Sequence, residues 1–221
     1  LDVLASTLVQ SRLQRDLTDS SMQRNIGTAL GHSLLAIDNV GRGLAGLDAV
    51  DLLACGTSGG DAIMPGFANM VQGELGAPPM HTHTSVGVCA ASLGALAFAA
   101  GQVQHGDALR ALAVGSDLPS RMFKSSRFAP RGDAADFNAH FLRWMLSDGA
   151  GALLLARRDA LDAGQPRLRL KWVHMKSFSG DHPVCMQLGL DTDGRHLRRA
   201  GLRRPRDADL GRPVRAAEDT T

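Results

Sequence analysis

A cysteine placed between two different sequence patterns raises the first chemical question. In "TSVGVCAASLGAL", Thr84 to Leu96, Cys89 stands between a short β-branched run and a string of Ala, Ser, Leu and Gly. The first part reads as a strand and the second as a helix, so the thiol falls where a strand hands over to a helix. In a parallel α/β sheet, reactive groups gather at the carboxyl ends of strands, where the following helices offer free backbone N–H groups. An ordinary thiol is only about 3% thiolate at pH 7, and helix N-termini favour the anion, so the placement suits a nucleophile. Small residues at Gly87, Ala90, Ala91 and Gly94 permit a sharp turn and leave space for a bulky acyl group or a close second helix. A buried cysteine serving as a small hydrophobe fits the same pattern, and spacing alone does not separate the two.

Other residue types capable of chemistry carry weaker patterns. Cys55 and Cys185 are far from Cys89 and from each other, and no CxxC pair occurs, so neither a disulfide framework nor a zinc knuckle is expected. Free thiols in this pattern lead us to expect a reducing, cytoplasmic setting. Cys55 closes an apolar run and reads as core. His81 and His83 share one face of an expected strand, but no third ligand accompanies them, and no metal site is expected. Asp117 and Asp148 flank expected strands and read as turn-fixing hydrogen-bond acceptors rather than a catalytic acid pair. Gly149 and Gly151 lack the Lys-Ser/Thr of a phosphate loop, and Ser58 and Ser92 lack the G-x-S-x-G of a hydrolase elbow. Arg121, Lys124 and Arg127 read as solvent-facing charges that are also candidates for meeting the phosphates of a carrier.

The elements that must position Cys89 follow from periodicity. "QRNIGTALGHSLLAIDNV", Gln23 to Val40, spaces Ile26, Leu30, Leu34 and Ile37 as a helix, ended by Gly41 and Gly43. "AVDLLACG", Ala49 to Gly56, predicts a buried strand. "PGFANMVQGEL", Pro65 to Leu75, predicts a helix with proline in its first turn and Phe67, Met70, Val71 and Leu75 on one face. Met80 to Val86 predicts a strand, Cys89 to about Val103 a helix packed on all sides, and Ala108 to Asp117 and Gly149 to Arg158 two further buried strands. In "RLRLKWVHMKSF", Leu168, Leu170 and Trp172 alternate as a half-exposed strand would. Strands separated by helices predict an α/β fold with a mainly parallel sheet covered on both faces.

Composition agrees with this class. The 221 residues are 44% hydrophobic, enough for a sizeable core, and no apolar run approaches a membrane span or a secretory signal. The chain opens on Leu1 rather than Met, so residues preceding it are expected in the whole protein. Acidic residues predominate through Ala156 and basic ones beyond it, with eight arginines between Arg195 and Arg215. That end lacks aromatics for base stacking, so no nucleic-acid partner is expected; it reads as a solvated or disordered tail, or as sequence unrepresentative of the domain.

Two longer stretches resemble a known family. "GVCAASLGALAFAAGQVQHGDALRALAVGSD", Gly87 to Asp117, followed by "SDGAGALLL", Ser147 to Leu155, resembles the ketoacyl-acyl carrier protein synthase III branch of the thiolase-fold condensing enzymes. "PGFANMVQGELG", "SRMFKSSRF", "FLRWMLSDGAGA" and "PVCMQLG" are similar to the ketosynthase/cyclase subgroup that forms dialkylresorcinols and stilbene precursors. The resemblance runs from about Gln23 to Gly189. It implies the N-terminal half of a layered α-β-α-β-α architecture, with a mixed sheet around a buried central helix. It implies that Cys89 accepts an acyl group from coenzyme A or an acyl carrier protein, and that its backbone N–H serves an oxyanion hole. Gly87, Val88, Ala90 and Ser92, with Cys185 and Met186, become candidates for the substrate pocket. A homodimer, no membrane association and no cofactor beyond the carrier-bound substrates are implied as well.

The same resemblance exposes a departure. The family pattern places a histidine and an asparagine in the C-terminal half, and no P-H-x-x-N-like motif occurs between Asp159 and Thr221. The expected division is therefore an N-terminal thiolase-like half over 1–158, the start of a second half over 159–190 and the Arg-rich end over 191–221. A chain so divided is expected to be inactive alone. Alternatives are a noncatalytic ketosynthase-like partner subunit, or a type III polyketide synthase or thiolase relative.

Overall fold

The computed structural model describes residues 2–10, 33–34, 36–37, 49–121, 141, 145–160 and 167–182, with side chains left out at 2–10, 121 and 167. Six strands form one sheet: β1 (Asp2–Gln10), β2 (Leu52–Thr57), β3 (His81–Val86), β4 (Arg110–Asp117), β5 (Gly149–Ala156) and β6 (Arg167–Arg169). Their spatial order is β3-β2-β4-β5-β1-β6. Helix α1 (Phe67–Glu74) connects β2 to β3, and helix α2 (Ala91–His105) connects β3 to β4. Both connections join parallel neighbours or next neighbours, as helical crossovers require.

The sheet is parallel only across β3-β2-β4; β4-β5, β5-β1 and β1-β6 are antiparallel. A mainly parallel sheet is thus found around Cys89 and not beyond it, and the fold is a mixed α/β sheet. Strand β1 has no counterpart in the periodicity analysis, because its apolar residues come in pairs rather than in alternation. The alternating stretch after Gly164 yields only three strand residues. Its β6 has just Asp2–Leu4 of β1 to pair with, and Leu168 and Trp172 remain exposed. Of the helix expected over Gln23 to Val40, only Ser33, Leu34, Ala36 and Ile37 lie among the described residues, and these are helical.

Strand alternation sorts the core into two layers. Leu53, Cys55, Leu112, Val114, Ala152 and Leu154 face one side and pack with Phe67, Ala68 and Val71 of α1 and with Ala36 and Ile37. Leu52, Ala54, Ala111, Ala113 and Leu155 face the other side and meet Ala95, Ala99, Ala100 and Val103 of α2. Every residue of β2 is buried, which is why its sequence is an unbroken apolar run. Fully buried Leu154 and Leu155 each contribute roughly 1.5–3 kcal/mol by leaving water.

The structure shifts both helix starts relative to expectation. Pro65 precedes α1 instead of occupying its first turn, and Gly66 is the N-cap. Helix α2 begins at Ala91, so Cys89 sits in the turn ahead of it. It ends at Gly106, whose φ of 91° is one that side chains disfavour. Leu93 of α2 is exposed, so the helix is not packed on all sides among the described residues.

Burial in the first layer pushes the Cys55 thiol up to about 12 from 9.0. Between these values the unfolded chain releases this proton while the folded chain keeps it. Stability is therefore fully present below the unfolded value and is lost as pH rises, by up to about 1.4 kcal/mol per pH unit. Denaturant titrations near about pH 8 and about pH 10 should show a smaller loss for Cys55→Ala than for the unsubstituted chain. Equal losses would remove Cys55 as the cause.

Candidate active site around Cys89

A row of small residues crosses the sheet where the Cys89 turn rests. Register pairs Ser85 with Gly56, Gly56 with Gly115 and Gly115 with Gly151. A methyl group built on Gly56 would fall on the Ala91 carbonyl and 2.5 Å from Ser92 Cα. One built on Gly115 would lie 2.7 Å from Ser92 Cβ. The first turn of α2 therefore sinks onto bare backbone, a close approach that only glycine admits. Farther along, Ala95, Ala99 and Val103 continue one stripe at four-residue intervals over Ala54, Ala111 and Ala113, keeping the helix close to the sheet.

The turn itself is held from both sides. The Gly87 N–H donates to the Thr57 carbonyl at 3.3 Å, the Ala91 N–H donates to the Val88 carbonyl at 3.0 Å, and the Gly94 N–H donates to the Ala90 carbonyl at 2.9 Å. Cys89 lies between these contacts and is exposed, as are Gly87, Val88 and Ala90, while Ser92 is half-buried beneath the turn. The Cys89 amide precedes the hydrogen-bonded ladder of α2 and is not consumed by it. Cys89 and Cys55 thus have opposite environments: one thiol open to reagents, the other buried in the core.

Of the other residues singled out in the sequence, Asp117 and Asp148 both accept backbone N–H bonds, but across the fold rather than within a local turn. The Asp117 Oδ1 accepts from Ser58 N at 2.7 Å, and Asp148 Oδ1 accepts from Ser120 N at 2.9 Å. Analysis of the sequence missed Asp51, whose Oδ2 accepts from the Leu109 and Arg110 amides at 2.8 and 2.9 Å. An aspartate directly before an apolar strand was its only signal. His81 and His83 share a face as expected, and both rings pack on Phe98 of α2: His83 stacks at 3.9 Å between centroids and His81 meets it edge-on at 5.7 Å. Partial burial, then the charge of His81, lowers the His83 pKa. Among the described residues no group of three or more His, Cys, Asp or Glu is arranged to hold a metal ion. Arg121 ends the 3-10 turn Pro119–Arg121, away from the Cys89 turn in sequence; Lys124, Arg127, Cys185 and Met186 lie outside the described residues.

A mixed sheet carrying an exposed cysteine in the turn before a sheet-packed, alanine-rich helix is consistent with the thiolase-like architecture that the sequence resemblance implies. In structure, the chain is similar to a variant of Xanthomonas campestris OleA, with a TM-score of 0.53 and 20% identity over 60% of this chain and 42% of that one. In sequence, it is 33% identical over 164 residues to the β-ketoacyl-acyl carrier protein synthase III of Rhodobacter capsulatus, covering 69% of this chain and 47% of that protein. The chain belongs with the synthase III-like condensing enzymes of the thiolase superfamily. It spans less than half the length of this curated relative.

A second likeness occupies the N-terminal part. Residues 11–52 match the family described as adenylosuccinate lyase C-terminal. The adenylosuccinate lyase of Legionella pneumophila is 51% identical over 39 residues, 18% of this chain and 9% of that protein. The resemblance drawn from Gln23 onward therefore overlaps a different family as far as Leu52, and the motifs around Cys89 lie wholly beyond the overlap.

Two outcomes test this geometry. Gly56→Ala should cost about 1–3 kcal/mol because α2 must rise from the sheet, whereas Gly101→Ala, with open space around it inside α2, should stabilise by about 0.5–1 kcal/mol. Thermal or denaturant unfolding of both variants checks the contrast. Iodoacetamide should modify Cys89 in the folded chain long before Cys55, as peptide mass mapping will show; comparable labelling would contradict the contrast in exposure.

Proposed function

We propose that Cys89 is the acyl-accepting nucleophile of a condensing acyltransferase. The observation carrying this reading is the exposed Cys89 in the turn pressed onto Gly56 and Gly115, within a synthase III-like sequence. The Cys89 thiolate attacks the carbonyl of an acyl thioester, its backbone N–H stabilises the oxyanion, and the carrier thiolate leaves. Decarboxylation of a malonyl-type donor, releasing carbon dioxide, or Claisen-type loss of the α-proton of a β-ketoacyl-type donor to a base then gives the carbanion that attacks the enzyme-bound thioester. The new carbon–carbon bond displaces the Cys89 thiolate, which is free to begin again.

Coenzyme A and acyl carrier protein are the carriers in this reading, no further cofactor takes part, and the setting is the cytoplasm. Gly87, Val88, Ala90 and Ser92, with Cys185 and Met186, are the candidates for the pocket in this reading, and Arg121, Lys124 and Arg127 the candidates for meeting the carrier phosphates. The whole protein works as a homodimer. The phrases resembling the ketosynthase/cyclase subgroup support ring-forming condensation of two acyl chains to a dialkylresorcinol. Among the described residues no helix is long and apolar enough to cross a membrane.

A second reading is a noncatalytic partner subunit that shapes another chain's pocket.

Octanoyl-coenzyme A should add one octanoyl group to the chain, mapping to Cys89 and absent from Cys89→Ala. An adduct that persists in Cys89→Ala overturns the assignment. Carrier protein bound without any acyl transfer supports the partner-subunit reading.

A further inference from the structure

We propose that Asp117 is a positioning residue for Cys89: its carboxylate fixes the end of β2, and the end of β2 fixes the turn that presents the thiol. The inference rests on the reading of Cys89 as the nucleophile. Asp117 closes β4 and pairs in register with Gly149 of β5, so its backbone is anchored on the antiparallel side of the sheet. The next connection is anchored as well, by the Ser120 amide donating to Asp148 immediately before β5.

From this fixed point the carboxylate reaches residues about sixty positions earlier in the chain. Its Oδ1 accepts the Ser58 N–H at 2.7 Å and the Thr57 hydroxyl at 3.4 Å. The Thr57 hydroxyl in turn accepts the Gly59 N–H at 3.3 Å, so the chain leaving β2 is held by three linked bonds. A backbone N–H at the end of a strand has lost its ladder partner, and a carboxylate is the stronger replacement acceptor.

Thr57 is also where β2 meets the Cys89 turn. It pairs with Val86, the last residue of β3, and its carbonyl accepts the Gly87 N–H. Cys89 therefore stands between two restraints, the Gly87 bond to Thr57 and the Ala91 carbonyl against Gly56. The second restraint is steric and survives any change at position 117. The first requires Thr57 to remain where Asp117 holds it. Acyl transfer needs the sulfur, the thioester carbonyl and the oxyanion donors in one alignment, and a shift of about 1 Å costs up to about a hundredfold in rate. Alkylation by a small reagent needs only access.

The test compares the 221-residue chain with Asp117→Ala, Asp117→Asn and Thr57→Val. Circular dichroism verifies folding, and Thr57→Val supplies the test if Asp117→Ala fails to fold. Amide exchange is followed by mass spectrometry over 57–60 and 86–90, alongside Cys89 acylation by octanoyl-coenzyme A and Cys89 alkylation by iodoacetamide. Expected for Asp117→Ala are faster exchange in both segments, acylation slower by about tenfold or more, and alkylation changed by less than about twofold. Asp117→Asn, which keeps an oxygen acceptor in place, should restore both exchange and acylation. Unchanged exchange over 86–90 in Asp117→Ala, or equal slowing of alkylation and acylation, overturns the inference. If the unsubstituted chain takes no acyl group at Cys89, the nucleophile reading falls, and the exchange arm alone decides whether Asp117 holds the turn.

Discussion

The site depends on how closely α2 approaches the sheet. Ala91 and Ser92 rest on Gly56 and Gly115, and neither strand residue puts a side chain between strand and helix at that level; the Ser92 side chain alone fills the space over Gly115. Because the helix cannot tilt inward, and the alanine stripe leaves it no slack farther along, the preceding turn has little freedom over where it places Cys89. The same closeness explains a core layer built largely of alanine. Larger residues would lift α2 and with it the thiol, so on this side stability and the placement of Cys89 draw on one set of contacts.

Hydrogen bonding at the ends of the parallel pair complements that packing. Strands β2 and β4 are adjacent and parallel, so their slanted ladder leaves backbone N–H groups unpaired where it starts and stops. Asp51 serves the starting end by accepting from Leu109 and Arg110, and Asp117 serves the far end by accepting from Ser58 and the Thr57 hydroxyl. Asp51 and Asp117 thus tie the same two strands at opposite ends. The far end is also the end that holds the Gly87 amide, which links the strand pair to the site.

The two described cysteines show how strongly placement governs a thiol. Cys55 is an interior residue of β2, in contact with aliphatic neighbours, and the loss of water raises its pKa. Cys89 lies three residues beyond Val86, the paired end of β3, and is open to solvent. Residue type does not distinguish them. The contrast arises because one lies in a strand flanked on both sides and the other just after the strand at the sheet's edge.

The order of strands and helices around the site was legible in the sequence, because burial imposes periodicity: β2 and β4 read as unbroken apolar runs and α2 as a small-residue helix opening at Cys89. The motifs at Cys89 and at Ser147 to Leu155 were equally legible, and they sufficed for the family. Strand direction was not, since an apolar run carries no sign of whether its neighbour runs with it or against it; only the tertiary structure shows β5 and β1 to be antiparallel. Element boundaries also moved by a residue or two, which decided that Cys89 precedes α2 rather than opening it. Above all, contacts between distant residues have no local trace. That Gly56 and Gly115 face one helical turn, and that Asp117 holds Ser58, follows from strand register, which is set by the packing of the whole sheet.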